Sequence, residues 1–461
     1  MPQAFHSPLA VVALGLGLGA AWTVLYDGGG TPAAADAPRN PSAAQPLDFG
    51  SATLGPPPLP FRQGPRLLRP PPEDRLGYDI AIEDRDGRSM APLHAALRRA
   101  ARGEGQARLL FYGASHVASD LFTGYLRREL QRRFGDAGHG IVLPAHPWRT
   151  YRHRGVEVES NRALWDASKV RANTRSTDYY GVHGVFVESA RASAFGRVRT
   201  ATRGTVGRAA SLFDLYYLTR PGGGSFDVFV DGRRAQHVIT EGAAYGPGYA
   251  TFRVPDGPHE FEVRLRGDGP VRFFGVAVER DAPGVVVDTL GINGARARYH
   301  LLWEDTLYRE HLRRRNPDLV VLAYGTNESG DEQPIDEYEA QLDAVVGRVQ
   351  EVAPQAACLL IGPSDRPQRR PDGRWEDRPR TAAIVQAQYR VALRHGCGFF
   401  DLVSFSGGPL SMVEWAAAEP PYAQPDHIHY TRRGYERLGE VLLGALLEGF
   451  DTDPAPRDGP R

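Results

Sequence analysis

Four short stretches, far apart in the chain, carry side chains that together could move an acyl group. They are Gly113-Ala114-Ser115-His116, Gly291-Ile292-Asn293-Gly294, Gly325-Thr326-Asn327-Glu328 and Asp426-His427-Ile428-His429. A serine hydroxyl becomes a nucleophile only beside a base that takes its proton, an acid that orients that base, and donors that hold the oxyanion formed on attack. Each stretch offers at least one of these parts, and each lies where a predicted strand ends. Their order along the chain is what makes the combination specific.

The flanking residues show how the chain would position them. Arg108-Leu109-Leu110-Phe111-Tyr112 is a short, mostly apolar run that reads as a buried strand. Gly113 breaks it, and a helical pattern follows through Leu121, Tyr125, Leu126, Leu130 and Phe134. Ser115 then sits at the carboxyl end of a strand beside a helix N-terminus, where free N–H groups favour a developing anion. A plain helix N-cap is the competing reading of that serine. Pro317 to Tyr324 is a second apolar strand ending in Gly325, and Asn327 just beyond it is either a turn former or a donor aimed at the strand-end crevice. Asp426 and His429 form a D-x-x-H pair, so one loop can supply both the base and the acid that fixes its tautomer. His427 competes with His429 for the part of base.

With these residues in hand, the chain resembles the SGNH/GDSL hydrolase superfamily, whose blocks carry Ser, Gly, Asn and His in that order. The resemblance covers residues 105–150 and 285–448. It implies that Ser115 is the nucleophile, that His429 is the general base in preference to His427, and that Asp426 orients it. It also implies an oxyanion hole built from the Ser115 N–H, the Gly294 N–H and the Asn327 side chain, with Gly291 the alternative glycine. One departure is visible: the usual G-D-S reads Gly113-Ala114-Ser115, so the carboxylate before the nucleophile is missing. That Asp is not part of the triad, so the chemistry should survive while hydrogen bonding around the turn differs.

Strand–helix alternation predicts an α/β fold: a three-layer, flavodoxin-like hydrolase on a five-stranded parallel sheet. The predicted strands are Leu109–Tyr112, Val285–Asp288, Leu319–Tyr324, Cys358–Ile361 and Gly398–Asp401. The helices fall near Met90–Ala101, Phe122–Phe134, Ala297–Arg315, Ile335–Val352, Thr381–His395 and Gly434–Leu447. Between Tyr179 and Glu279 the pattern changes to short alternating strands with turns at Asp231-Gly232 and Asp256-Gly257. This reads as an inserted, jelly-roll-like β-domain. It is similar to the carbohydrate-binding-module-like insertions of bacterial peptidoglycan and polysaccharide O-acetylesterases, and Tyr216, Tyr217, Tyr245 and Tyr249 could stack on sugars. The expected domains are a leader and tether over 1–60, hydrolase over 61–158, the β-insert over 159–282, hydrolase over 283–449 and a tail over 450–461.

Composition narrows the class further. Among 461 residues, 55 basic and 55 acidic side chains cancel, which leaves no electrostatic footprint for nucleic acid. The uncharged run from Leu9 to Tyr26 reads as a signal peptide or a membrane tether, followed by a Gly/Ala/Pro/Ser-rich linker. Cys358 and Cys397 open neighbouring predicted strands, so they are either a disulfide in an oxidising compartment or two buried thiols. Neither C-x-x-C nor clustered Cys/His spacing appears, so no metal or other cofactor is expected, and no obligatory protein partner is evident. The resemblance thus implies an exported esterase acting on an acylated polysaccharide or peptidoglycan. An O-acetyltransferase and a silent glycan-binding protein are the alternatives.

Overall fold

Strands of a parallel sheet covered on both faces read as near-continuous apolar runs. Five such strands form the centre of this computed structural model, which describes residues 64–70 and 74–451. They are β1 (Gln106–Gly113), β2 (Gly284–Gly291), β3 (Leu319–Ala323), β4 (Ala357–Ile361) and β5 (Gly398–Phe400). All pair in parallel in the order β2-β1-β3-β4-β5, the doubly wound arrangement whose ligand crevice lies beyond the carboxyl ends of the strands. Leu9–Tyr26, the tether that follows and residues 452–461 lie outside the described residues. Among the described residues no helix is long and apolar enough to cross a membrane.

The period-two alternation of β1 divides the core. Leu109 and Phe111 pack into one apolar cluster with α1 (Ala91–Ala101), α2 (Phe122–Phe134) and α6 (Arg432–Leu446). Leu110 and Tyr112 point the other way, into a cluster with α3 (Asp305–Arg315), α4 (Ile335–Val352) and α5 (Pro379–Arg394). Helix α4 shows why: Tyr338, Leu342, Val345, Val349 and Val352 recur at helical spacing and all are buried. Cys358 and Cys397 are bonded, with Cα atoms 4.7 Å apart, at the entry edge of β4 and β5.

Two antiparallel sheets form the β-domain. One runs in the order 246–257, 210–219, 271–279, 185–189, 166–169; the other runs 156–160, 195–200, 260–265, 225–230, 233–239. The Asp231-Gly232 turn joins Ser225–Val230 to Arg233–Ile239 as a hairpin, both residues having positive φ. Asp256-Gly257 does not turn a hairpin. Gly246–Gly257 belongs to the first sheet and Glu260–Leu265 to the second, so the chain crosses from one layer to the other there.

The β-domain shares its interior with the hydrolase. Gly138–Val142, which follows α2, pairs with Val271–Glu279 of the first sheet. Tyr216, Leu218 and Phe274 lie in the same apolar cluster as Leu110 and Tyr112. Buried charges cross the seam as well. Glu279 accepts from Arg108 and from Arg315 (2.7 Å), and Arg315 also pairs with Asp288 at 2.8 Å. Burial alone would raise the Glu279 carboxyl, but the two guanidinium groups pull it down to about 2.

Candidate active site

Gly113 is required where β1 ends. A Cβ there would lie 2.4 Å from Val117 Cγ2 and 2.8 Å from the Ala323 carbonyl oxygen. The chain therefore turns tightly, Ala114 stays buried, and Ser115 opens one helical turn, Ser115–Ala118. The first N–H groups of such a turn have no acceptor within it.

Ser115 Oγ lies 2.7 Å from His429 Nε2, and His429 Nδ1 lies 2.7 Å from Asp426 Oδ2. With Nδ1–H donating to the carboxylate, Nε2 is free to accept the serine proton. Asp426 Oδ1 accepts the N–H groups of Ile428 and His429, each at 3.0 Å. Partial burial pushes the Asp426 carboxyl up, but the N–H and ring of His429, with the Ile428 N–H, outweigh it and hold the acid below the usual carboxylate range. The side chain of His427 turns elsewhere: at φ +54° its Nδ1 sits 3.3 Å from the Met412 carbonyl oxygen, and its ring packs 4.2 Å from that of Trp375.

The second and third stretches meet at the same strand ends. Ile292 N–H donates to the Gly113 carbonyl oxygen at 2.9 Å, which ties the loop after β2 to the turn before Ser115. Gly291 is packed tight, since a Cβ there would fall 2.1 Å from Ala118 N, whereas Gly294 has φ +78° and open space beside it. Among the described residues the Gly294 N–H has no protein acceptor. Asn327 Nδ2 donates to the Ala295 carbonyl oxygen at 2.9 Å, so its amide already sits against that loop. Lys169, from the β-domain, donates to the Asn293 carbonyl oxygen at 2.6 Å.

Residues 242–437 match the GDSL-like lipase/acylhydrolase family. A solved structure described as a peptidoglycan O-acetylesterase in action is 26% identical, covers 81% of this chain and 99% of its own, and superposes with a TM-score of 0.67. This chain resembles the SGNH/GDSL hydrolases, and the O-acetylesterases among them. A family two carbohydrate esterase from Cellvibrio japonicus covers 64% of this chain and 98% of its own at 11% identity, with a TM-score of 0.27, too slight a likeness to argue from. No curated protein matches the sequence. The matched segment holds Gly294, Asn327, Asp426 and His429 but not Ser115; the fold brings that serine in from a separate part of the chain. It is a carboxylic ester hydrolase.

Behind the reacting groups of the hydrolase lie residues to which the sequence reading assigned no part. Glu328 is buried and accepts from Ala297 N–H at 2.8 Å and Gly325 N–H at 3.0 Å, so one carboxyl clamps the Gly294 loop to the Asn327 loop. Burial pushes that carboxyl above the usual glutamate range even though the backbone N–H groups oppose the shift. Its place in Gly325-Thr326-Asn327-Glu328 was the available signal. His116, next to Ser115, is buried between Tyr435 Oη at 2.9 Å and Ser364 Oγ at 3.2 Å. Burial, then repulsion from His429, drives it down to about 3, so it stays neutral at neutral pH. Nothing near Ser364 in the sequence marked it out.

The aromatic residues expected to meet sugars divide clearly. Tyr216 and Tyr217 are buried. Tyr249 is covered by Arg314, 4.0 Å above its ring, and donates to Glu310. Tyr245 alone of the four is exposed, stacked on Tyr179 at 4.9 Å.

Exchanging Glu328 for Gln tests the clamp. An amide keeps one acceptor but turns its NH2 toward the other backbone N–H, leaving a buried donor unpaired. We expect Glu328→Gln to lower kcat for p-nitrophenyl acetate by about tenfold, with KM within about twofold. A lower melting temperature with unchanged kcat would reduce Glu328 to a purely structural part.

Proposed function

We propose that the protein removes O-acetyl groups from a cell-envelope glycan, outside the cytoplasm, through an acyl-enzyme on Ser115. The Ser115–His429–Asp426 relay, with 2.7 Å at both links, carries the reading. Ser115 Oγ attacks the ester carbonyl as its proton passes to His429 Nε2. The carbonyl oxygen takes the negative charge and is held by the N–H groups of Ser115 and Gly294 and by the Asn327 amide. As the tetrahedral species collapses, His429 returns the proton to the departing sugar oxygen. Water then attacks the acyl-serine, with His429 first removing its proton and afterwards restoring it to Ser115, which releases acetate. Asp426, ionised at neutral pH, stabilises the imidazolium in both halves.

The glycan substrate is supported by the 0.67 superposition, which runs over the β-domain as well as the hydrolase portion, on a protein described as a peptidoglycan O-acetylesterase. Export is supported by the apolar Leu9–Tyr26 run and by the Cys358–Cys397 bond, which persists in oxidising compartments. The decisive measurement is acetate released from O-acetylated peptidoglycan by the wild type and by Ser115→Ala. Release that needs Ser115 is the expected result. Hydrolysis of p-nitrophenyl acetate without release from the polymer would sink the glycan reading and leave only the esterase.

A further inference from the structure

A cleft of ≈ 280 Å³ opens beside the loop that carries Gly294. Trp148, Thr150, Ser168, Lys169, Arg171 and Asn293 line it. Its walls come from the loop after Gly138–Val142, from the edge strand Asp166–Lys169 of the β-domain and its following turn, and from the loop after β2.

The chemistry of these walls is one-sided. Lys169 Nζ stands 6.0 Å from the Trp148 ring centroid and donates to the Asn293 carbonyl oxygen, a neutral partner. Burial, then the neighbouring Arg171 cation, holds the Lys169 ammonium below the usual lysine range. Two cations lining one cleft and repelling each other make a place where an anion is welcome. The indole adds an apolar wall, on which the C–H face of a sugar can lie.

Position supplies the rest. Asn293, one wall of the cleft, precedes Gly294, so their Cα atoms stand about 3.8 Å apart, and it is the Gly294 N–H that serves the oxyanion in the proposed mechanism. The Asn293 carbonyl that Lys169 grips and the Gly294 N–H belong to one planar peptide unit. Holding one end orients the other, and a hydrogen bond to the carbonyl polarises the N–H.

We propose that this cleft is a subsite for a carboxylate-bearing sugar of the acylated glycan, its carboxylate accepting from Arg171 and Lys169 while its ring lies on Trp148. The proposal rests on the reading of the protein as a glycan esterase. A uronate and a lactyl ether present the same anion, so the substrates must separate them.

Arg171→Gln changes only the cleft and Trp148→Ala also loosens packing on Tyr151, whereas Lys169→Met frees the Asn293–Gly294 peptide. Rates are compared on acetylated peptide-free peptidoglycan strands (lactyl carboxylate), acetylated polygalacturonate (uronate), acetylated cello-oligosaccharide (neutral) and p-nitrophenyl acetate. Arg171→Gln and Trp148→Ala should lose about tenfold in kcat/KM on one or both carboxylate polymers, and the Arg171→Gln deficit should shrink as salt rises. Both should stay within about twofold of wild type on the neutral oligosaccharide and on p-nitrophenyl acetate. Lys169→Met should lose kcat on all four. Equal losses on charged and neutral polymers, or none on either carboxylate polymer, would overturn the subsite.

Binding separates this proposal from the reading beneath it. Ser115→Ala should bind oligogalacturonate, peptide-free peptidoglycan strands or both, and Ser115→Ala with Arg171→Gln should bind the same ligand at least tenfold more weakly. That difference upholds the cleft even if no acetylated polymer is turned over; its absence refutes the cleft even if peptidoglycan is deacetylated.

Discussion

His429→Ala is expected to lower kcat for p-nitrophenyl acetate by about four orders of magnitude, and His427→Ala to change it by less than about twofold. The difference follows from geometry alone. His429 Nε2 stands 2.7 Å from Ser115 Oγ, whereas His427 lies against Trp375 with its Nδ1 near the Met412 carbonyl. Without the imidazole, the serine hydroxyl must lose its proton to water, and the departing alkoxide has no acid to receive it. Asp426→Asn should cost less than His429→Ala, because an amide oxygen can still accept from Nδ1 but carries no charge to balance the imidazolium. Stopped-flow release of p-nitrophenol, with circular dichroism to verify folding, measures all three. A crippled His427→Ala beside a mild His429→Ala would transfer the base to the other ring and dismantle the relay.

The second large effect is expected at Asn327. Its Nδ2 already donates to Ala295 O, which holds the amide against the Gly294 loop before any substrate arrives. Such preorganised donors lower the barrier because they need no rearrangement as charge develops. Asn327→Ala should therefore slow acylation by about a hundredfold or more, on the order of 3 kcal/mol, with KM changed far less. Part of that loss would come through the loop itself, since Ala295 loses its donor. Asn327→Asp helps to separate the two contributions: it retains the size of the side chain while placing negative charge where the oxyanion forms, so it should be at least as damaging as Ala. A variant that melts earlier but keeps full activity per folded molecule would make Asn327 a turn residue only.

The hydrolase strands were legible because a strand buried on both faces reads as a near-continuous apolar run, as Leu319-Val320-Val321-Leu322-Ala323 does. The same property hid the faces of the β-domain. Leu215-Tyr216-Tyr217-Leu218 is buried throughout, so no alternation tells which tyrosine meets solvent. One helix, expected over Ala297–Arg315, is a short 3-10 turn at Ala297–Leu301 and then α3. Glu304 stops and restarts it by accepting from Thr306 N–H and Leu307 N–H, a cap that the charged run concealed. The spacing of Cys358 and Cys397 left bond and thiol equally open; the parallel register of β4 and β5 puts their Cα atoms 4.7 Å apart. Ser115 and Asn327 were readable because each follows a strand end broken by glycine, and Asp426 and His429 because their D-x-x-H spacing puts acid and base in one loop. Lys169 was not, because its importance comes from a carbonyl 124 residues away.

The charged seam between β-domain and hydrolase sets how this protein can change by recombination. Glu279 travels with the inserted module, while Arg108, Arg315 and Asp288 stay with the host. A module received from another gene without an acid at that position would leave Arg108 without its carboxylate and Arg315 with Asp288 alone, in a nearly dry interior. Removing one partner of such a cluster costs about 3–5 kcal/mol, a large share of a typical domain's stability. Chimeras made by exchanging residues 156–282 as a cassette should therefore reach the insoluble fraction unless the acid and its strand neighbours are carried across. Lineages that alter substrate preference would have to do so by substituting surface residues, keeping the module they inherited.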